Sequence, residues 1–516
     1  MRPIDYFDAG AQKAPDKIFV EGEGHSYTFA RAQQDTHAIA SSLYGAGMAL
    51  GDSIAVFSPN KPDAVVCILA IYRAGGAWVP VNVRNAPSSN AEYMAYVNTR
   101  FLFFHSSVLE AVEEVVPQLP DLVTAICIDS QATPYVSLQD FCENAVDSKH
   151  SDWSDPYSAP DAIFARWPTG GTTGPSKGVE MTNLSICTMI ELGIKHYIGE
   201  RPDNVVHLAV APITHAAGVI ISIFAAVGGK TVVLPQFDAK AVLDTIERDK
   251  VTHMFLPPTA YYALLDEAAK GNYDTSSLRQ LLLAAAPVSP DKFKQGVEQF
   301  GPVLCQCFGQ AEAPMMISWL GPEVLAAAVA GDHPERIASC GQVTSATRVA
   351  ILDEEGNVLP RGERGEICVR GPLVTPGYYK NPEATAEIRR FGWHHTGDVG
   401  LLDEHDFLYI VDRLKDMIIT GGFNVFSAEV ETPILALPEV LECAVIGVPD
   451  EKWGEALLAT VVLREGYALS EQDIIDRVRD KLGGVKTPKR VVISDDIPKT
   501  NVGKTDKKAL RRRYSV

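Results

Sequence analysis

The sequence has no disulfide framework, no run long and apolar enough to span a bilayer, and no excess of positive charge. Nine cysteines are scattered along 516 residues, and the only close pair is Cys305 and Cys307. That spacing predicts buried thiols in a reducing compartment, and with no His-Glu-x-x-His it carries no zinc signature. The apolar run Val219 to Val227 falls far short of the roughly 18 to 20 residues a membrane span needs. The amino terminus lacks a signal-peptide core and the closing Tyr-Ser-Val is no peroxisomal address, so a cytoplasmic protein is expected. A formal net charge of -19 disfavours nucleic acid as a partner, because a phosphate backbone would be repelled overall. Small anions respond to local charge and stay open as ligands. No internal repeat or low-complexity tract occurs, and nothing fixes an oligomeric state, a homodimer included.

What is present is ordinary in composition, 46% hydrophobic and 22% charged, and too long for one core, so two or three domains are expected. Between Ile54 and Asn82 apolar segments alternate with Gly/Pro punctuation: strand 53–57, helix 62–74, a turn at Gly75-Gly76, strand 77–82. This βαβ pattern implies a parallel, doubly wound sheet. Residues 147–161, rich in Ser, Asp and Pro, read as a connector.

The connector leads to a short apolar strand, 162–167, and then to Thr169-Gly170-Gly171-Thr172-Thr173-Gly174-Pro175-Ser176-Lys177-Gly178-Val179. The glycines let backbone approach a polyanion closely, the threonines offer hydroxyl donors, and Lys177 adds a positive charge. The run is a phosphate cradle at a strand's carboxyl end, where open α/β sheets place ligands. It is not a Walker A loop, in which the lysine follows its glycine and precedes Ser or Thr.

This loop resembles the phosphate loop of the adenylate-forming (AMP-binding) superfamily, usually written Thr-Ser-Gly-Thr-Thr-Gly-x-Pro-Lys-Gly; here Gly170 replaces the Ser and Ser176 the Pro. The resemblance spans nearly the whole chain. Pro212-Ile213-Thr214-His215-Ala216-Ala217-Gly218 is similar to a family motif whose imidazole lies against the acyl substrate. Leu281 to Leu283 reads as a buried strand running into Ala284-Ala285-Ala286, a turn that in the family carries glycines at its first two positions and forms a wall shared by adenine and the acyl pocket. Two added methyl groups there imply a narrower space, suited to a short, flat or cyclic acid. Phe308-Gly309-Gln310-Ala311-Glu312 resembles Tyr-Gly-x-Thr-Glu, which implies adenine stacking on residue 308 and magnesium on Glu312. Ala311 lacks the usual threonine hydroxyl. One hydrogen bond to a charged group is worth about 1.5 to 3 kcal/mol, so adenylation would slow about tenfold to a hundredfold unless a water or Thr172 substitutes.

In Gly392-Trp393-His394-His395-Thr396-Gly397-Asp398 and Asp412-Arg413-Leu414-Lys415-Asp416 the resemblance implies a carboxylate, Asp398, that accepts the ribose hydroxyls, a guanidinium, Arg413, beside it, and a hinge at Lys415. After Lys415 the chain changes character: Met417-Ile418-Ile419, then Gly421-Gly422, a helix-like 428–437 and an apolar 444–448 make a compact α+β module. Between Lys499 and Arg513 lie seven Lys/Arg residues against one Asp, alone the mark of a solvated basic end. Within it Pro498-Lys499-Thr500-Asn501-Val502-Gly503-Lys504 resembles the family's catalytic loop, with Lys504 as electrostatic catalyst. Gly421, Gly422, Trp453, Gly454 and Glu455 resemble the face that lines the pantetheine tunnel.

The expected architecture is therefore α/β: a large N-terminal domain of doubly wound sheets, 1–414, and a small hinged C-terminal α+β domain, 415–516. The expected reaction is ATP-dependent ligation of a carboxylic acid to CoA with magnesium. The resemblance implies that Thr172 and Lys504 act with Glu312 in catalysis, that Thr169 to Gly174, Lys177, Ala286, Phe308, Gly309, Asp398, Arg413 and Lys504 bind ATP, and that His215, Ala284 and Ala285 line the acyl pocket. Two rivals are a stand-alone adenylation enzyme loading a carrier protein and a non-catalytic acyl or nucleotide sensor. Amino-acid adenylation modules usually carry an aspartate near position 215, and none stands there; the sensor has only Ala311 in its favour.

Overall fold

Two adjacent strands, Ser53–Phe57 and Ala77–Val81, are buried at every residue, as strands in the middle of a parallel sheet must be. The helix between them, Pro62–Ala74, starts on a proline and stops at Gly75 in the left-handed conformation. The βαβ unit read from the sequence is present, its second strand ending one residue early. The computed structural model describes residues 1–131, 134–143, 159–169, 176–200, 203–500 and 505–514. Most of the connector at 147–161 lies outside them.

Internal contacts divide the chain into two units, Met1–Val349 with Val369–His394, and Ala350–Cys368 with His395–Val516. The first holds an eight-stranded and a nine-stranded sheet. In the eight-stranded sheet the chain passes from Ser53–Phe57 to Ala77–Val81 on one side and to Thr99–Phe104 on the other, all parallel, the reversal that defines a doubly wound sheet. In the nine-stranded sheet Val206–Ala209 is flanked in the same way by Lys230–Val233 and His253–Leu256, and Gln280–Leu283 and Leu304–Gln310 follow in parallel. The loops that carry His215, Ala284 to Ala286 and Glu312 all leave the carboxyl ends of these strands. Aromatic side chains fill the core, with Phe7, Phe19 and Phe29 in mutual contact and Trp78 edge-on to Trp167.

The second unit holds a sheet formed by Arg348–Leu352, Gly365–Arg370, His394–Leu402 and Leu408–Arg413, and a five-stranded sheet built on the long antiparallel pair Val440–Asp450 and Gly454–Leu463. Its helices Ser427–Leu435 and Glu471–Leu482 bury Val430, Ile434, Ile474 and Val478 in one apolar cluster. The expected helix at 428–437 is thus observed, shifted by one residue at its start and two at its end.

The division at 414/415 expected from the sequence is not where these contacts divide the chain, because the segments on either side of Lys415 are knitted together. Asp412 Oδ2 accepts hydrogen bonds from Ser427 Oγ at 2.7 Å and Ala428 N at 3.2 Å, capping the helix that follows, and Arg364 pairs with Glu429. The basic end is only partly solvated. Lys507 Nζ lies 2.7 Å from Glu431 Oε1, Lys499 Nζ 2.7 Å from Glu442 Oε2 and Arg511 Nη2 2.9 Å from Asp416 Oδ1, while Leu510 is fully buried. Four of the seven basic residues, Arg513 beside Asp496 included, are partnered.

Candidate active site

The described ends of the phosphate-loop segment, Thr169 and Lys177, belong to two paired strands of the first unit. Strands Ile163–Thr169 and Lys177–Thr182 are antiparallel, Thr169 pairs with Lys177, and Thr169 Oγ1 donates to Lys177 O at 3.3 Å. Gly170, Gly171, Thr172, Thr173 and Gly174 lie outside the described residues. The Lys177 ammonium stands 4.9 Å from the centroid of the Tyr378 ring, and the Tyr378 hydroxyl donates to Glu312 Oε1 at 2.6 Å. One tyrosine therefore bridges the loop's lysine to the carboxylate expected to hold magnesium. Sequence reasoning missed Tyr378; the signal was the Gly377-Tyr378-Tyr379 run, whose first two residues form a short strand pairing Tyr378 with Val179. Burial, with the Glu312 charge next, pushes the Tyr378 phenol well above its usual range, so it stays a donor to that carboxylate.

Glu312 sits at the tip of the hairpin formed by Leu304–Gln310 and Ala313–Leu320, where Gln310 pairs with Ala313. Its carbonyl accepts from Thr375 N at 2.9 Å. Gly309 is obligatory, since a Cβ there would lie 2.3 Å from Met315 N. Among the described residues no hydrogen bond engages Glu312 Oε2. A half-exposed carboxylate with one oxygen tied and one open suits magnesium, which takes one or two carboxylates together with substrate phosphates. Phe308 precedes the turn and is 9% exposed.

His215 immediately precedes helix Ala216–Ala225, its ring edge-on to Trp167 with centroids 5.4 Å apart. Trp167 belongs to the strand that leads into the phosphate loop, so this histidine and that loop share one scaffold. Ala284, Ala285 and Ala286 follow strand Gln280–Leu283, and Ala285 has φ +76°. The alanine keeps a left-handed backbone that glycine adopts freely and L-residues adopt at a cost of about 1 to 2 kcal/mol.

In the second unit Asp398 and Arg413 are register partners on adjacent strands, and Arg413 Nε lies 2.7 Å from Asp398 Oδ1. The carboxylate is almost wholly buried and the guanidinium is half exposed, so the pair presents a sunken acceptor beside a donor that reaches solvent. Lys415 follows in a single 3-10 turn, Leu414–Asp416, where burial and the Arg413 charge hold its pKa below the usual lysine range. Gly421 and Gly422 form the tight turn between strands Ile418–Thr420 and Phe423–Val425. Gly421 has φ +57°, donates to Trp453 O at 2.8 Å, and could carry no Cβ without meeting the Trp453 ring at 2.8 Å. Glu455 Oε2 accepts from Ile419 N at 2.8 Å, and the Lys452 and Lys489 ammonium groups lie 4.7 and 5.5 Å from the Trp453 ring centre. The five residues expected to form one face are thus brought together. Lys504 lies outside the described residues, but the ends of its loop are tied, with Lys499 bridged to Thr505 and Asp506 N donating to Pro498 O at 2.8 Å.

Comparison with known proteins identifies the family. A family profile described as AMP-binding enzyme matches residues 7–379, and one described as AMP-binding enzyme C-terminal domain matches 429–504. The chain is 43% identical over 363 residues to the medium/long-chain-fatty-acid–CoA ligase FadD8 of Mycobacterium tuberculosis, an alignment covering 69% of this chain and 62% of that one. It is 32% identical over 528 residues to a feruloyl-CoA synthase of an Amycolatopsis species, covering 98% and 97%. The crystal structure of ATP-bound MatB from Rhodopseudomonas palustris superposes with a TM-score of 0.88 at 27% identity, covering 100% of this chain and 99% of the other.

Proposed function

The chain belongs to the AMP-binding enzyme family and is an AMP-forming acid–thiol ligase, and on that premise we propose that it activates an aromatic, alicyclic or short- to medium-chain carboxylic acid for transfer to CoA. The observation that carries this reading is the sunken Asp398 carboxylate held 2.7 Å from Arg413 Nε, a polar pair of the kind that receives a ribose diol.

A carboxylate is a poor acyl donor because its oxygen does not leave. In the proposed reaction that oxygen attacks the α-phosphorus of ATP, pyrophosphate departs, and an acyl-adenylate remains for the CoA thiolate to attack, releasing AMP. Catalysis of the first step is positioning and charge neutralisation. Backbone and hydroxyl groups of residues 169–174, with Lys177, hold the β- and γ-phosphates; Asp398 and Arg413 orient the ribose; Phe308, Gly309 and Ala286 meet the adenine; Lys504 stabilises charge at the α-phosphate and the carboxylate. Glu312 would hold magnesium, which when bound neutralises phosphate charge, and Tyr378 fixes the carboxylate's rotamer for that task. In the second step the face carrying Gly421, Gly422, Trp453, Gly454 and Glu455 serves the pantetheine arm, with the backbone turning at Lys415. Ala284 and Ala285 set the width of the acyl pocket beside His215.

The test is to incubate the protein with ATP, magnesium and a mixed panel of acids, with and without CoA, and to follow AMP, acyl-adenylate and acyl-CoA by mass spectrometry. An acyl-CoA product is expected. Adenylate that accumulates despite CoA would assign the acyl group to another acceptor, and silence with every acid would overturn the reading.

A further inference from the structure

The segment that presents Asp398 is held from behind by a carboxylate that the reaction does not use. Glu366, on strand Gly365–Arg370, is 11% exposed at its side chain. Its Oε1 accepts the Gly397 N–H at 3.1 Å and its Oε2 receives the His395 Nδ1–H at 2.6 Å. Between these two bonds Thr396 Oγ1 donates to Ile367 O at 2.7 Å and accepts from Asp398 N at 3.1 Å. Every residue from His395 to Asp398 is thereby tied, directly or through Thr396, to the pair Glu366-Ile367.

Cys368 shares the face of Glu366, two residues on, and its Sγ lies 3.5 Å from His395 Nδ1. The three donor atoms fall within 4.8 Å of one another, which suggests a metal site. The 2.6 Å contact argues otherwise. Two ligands of one tetrahedral zinc at bond lengths near 2.0 to 2.1 Å stand roughly 3.3 Å apart, whereas 2.6 Å is the length of a short charge-assisted hydrogen bond.

A nearly buried carboxylate is expensive to desolvate, and an apolar pair would build this sheet as well. What the carboxylate adds is a fixed backbone orientation one residue ahead of Asp398. We infer that Glu366 and His395 are positioning residues for ribose recognition, setting the direction from which Asp398 meets the 2′- and 3′-hydroxyls of the nucleotide. The inference rests on the proposed role of Asp398 as the ribose acceptor.

The experiment compares equilibrium binding of AMP, 2′-deoxyAMP and 3′-deoxyAMP to the whole protein, and so requires no knowledge of the acid. The unaltered protein should prefer AMP over a deoxy analogue by about tenfold or more, the range of one hydrogen bond to a charged group. Glu366→Ala should bring that ratio towards one. Glu366→Gln keeps an acceptor for Gly397 N–H and should restore most of it. If Glu366→Ala does not fold, His395→Phe removes the bond to Oε2 while sparing Gly397, and its ratio should fall at least threefold. A variant whose melting temperature drops while its ratio is unchanged would show a purely structural role and overturn the inference. An unaltered protein that binds all three nucleotides alike would instead overturn the ribose reading of Asp398, and this inference with it.

Discussion

His207 and His253 are register partners on neighbouring parallel strands, His207 on Val206–Ala209 and His253 on His253–Leu256, and both are completely buried. The His207 ring stacks on Phe224 at 4.2 Å, and the His253 ring meets Tyr197 edge-on at 5.3 Å. His207 Nδ1 has no hydrogen-bond partner among the described residues, and His253 Nδ1 lies 2.8 Å from Thr252 Oγ1. Burial drives both pKa values down to about 3, helped at His207 by its neighbour His253 and at His253 by the Arg279 charge.

These two side chains set an acid limit. Both are neutral in the folded protein down to about pH 3, while in the unfolded chain they take up protons near pH 6.5. The unfolded state therefore binds more protons between those values, so stability is full above about pH 6.5 and falls as pH drops. The slope approaches about 1.4 kcal/mol per pH unit for each histidine. Thermal melts from pH 7.5 to 4.5 should show the loss beginning above the range where carboxylates titrate, and His207→Leu should flatten the curve. An unchanged slope in that variant would refute the assignment.

Ala285→Gly should relieve the left-handed strain at φ +76°. The gain is expected to be about 0.5 to 1 kcal/mol, since the glycine also loosens the unfolded chain. The same variant should admit bulkier acids, seen as a rise in pyrophosphate release with longer or more branched members of a panel. A lower melting temperature together with an unaltered acid profile would contradict both the strain and the pocket assignment.

Lys507→Met should weaken the second unit and the catalytic loop together. Burial works against the Lys507 ammonium, yet the Glu431 and Asp412 carboxylates outweigh it and hold its pKa above the usual lysine range. Removing one partner of such a pair costs about 3 to 5 kcal/mol because the other is left uncompensated. Melting temperature and adenylation should both fall, and adding Glu431→Gln should recover stability. Since Lys507 begins helix Lys507–Tyr514 three residues after Lys504, adenylation should recover less than stability does. Full recovery of both would separate the anchor from the loop.

Lys504→Ala and Lys415→Pro should divide the two half-reactions. The first should lower adenylation on the order of 10²- to 10³-fold, by analogy with one lost oxyanion donor. The second should spare adenylation and impair thioester formation, because proline fixes a torsion that the proposed hinge would need to turn. Rapid-quench measurement of pyrophosphate and of acyl-CoA separates the steps, and equal loss of both in Lys415→Pro would refute the hinge.

The parts of this molecule legible in its sequence were those written in contiguous residues. The βαβ unit at 53–81 was readable because every position in its strands is buried, and Asp398 with Arg413 because each lies in a short recognisable run. Tyr378 was not readable as a partner of Glu312, since 66 residues separate them and only the pairing of Gly377–Tyr378 with Lys177–Thr182 brings them together. Glu366 escaped for the same reason: its role exists only once two strands align. The partners of the basic end could not be read, because charge density in sequence is silent about partners, and Glu431 and Asp416 lie about 75 to 95 residues upstream of the lysine and arginine they meet.

The chain crosses between its two units more than once, leaving the first at Ala350, re-entering it at Val369 and leaving again at His395. No single cut can therefore release either unit whole. A fragment ending at Val349 lacks the Gly377–Tyr378 strand that extends the eight-stranded sheet and orients Glu312, and a fragment starting at His395 lacks Gly365–Arg370 and with it the carboxylate behind Asp398. On the ribosome the same topology imposes an order. Residues 350–368 emerge before the strand His394–Leu402 that lies beside Gly365–Arg370, and at about 5 to 20 residues per second they wait a few seconds for it. The second unit is thus a late product of synthesis although its first strands are made early, and the interval in which an exposed strand edge can find the wrong partner is built into the order of the chain.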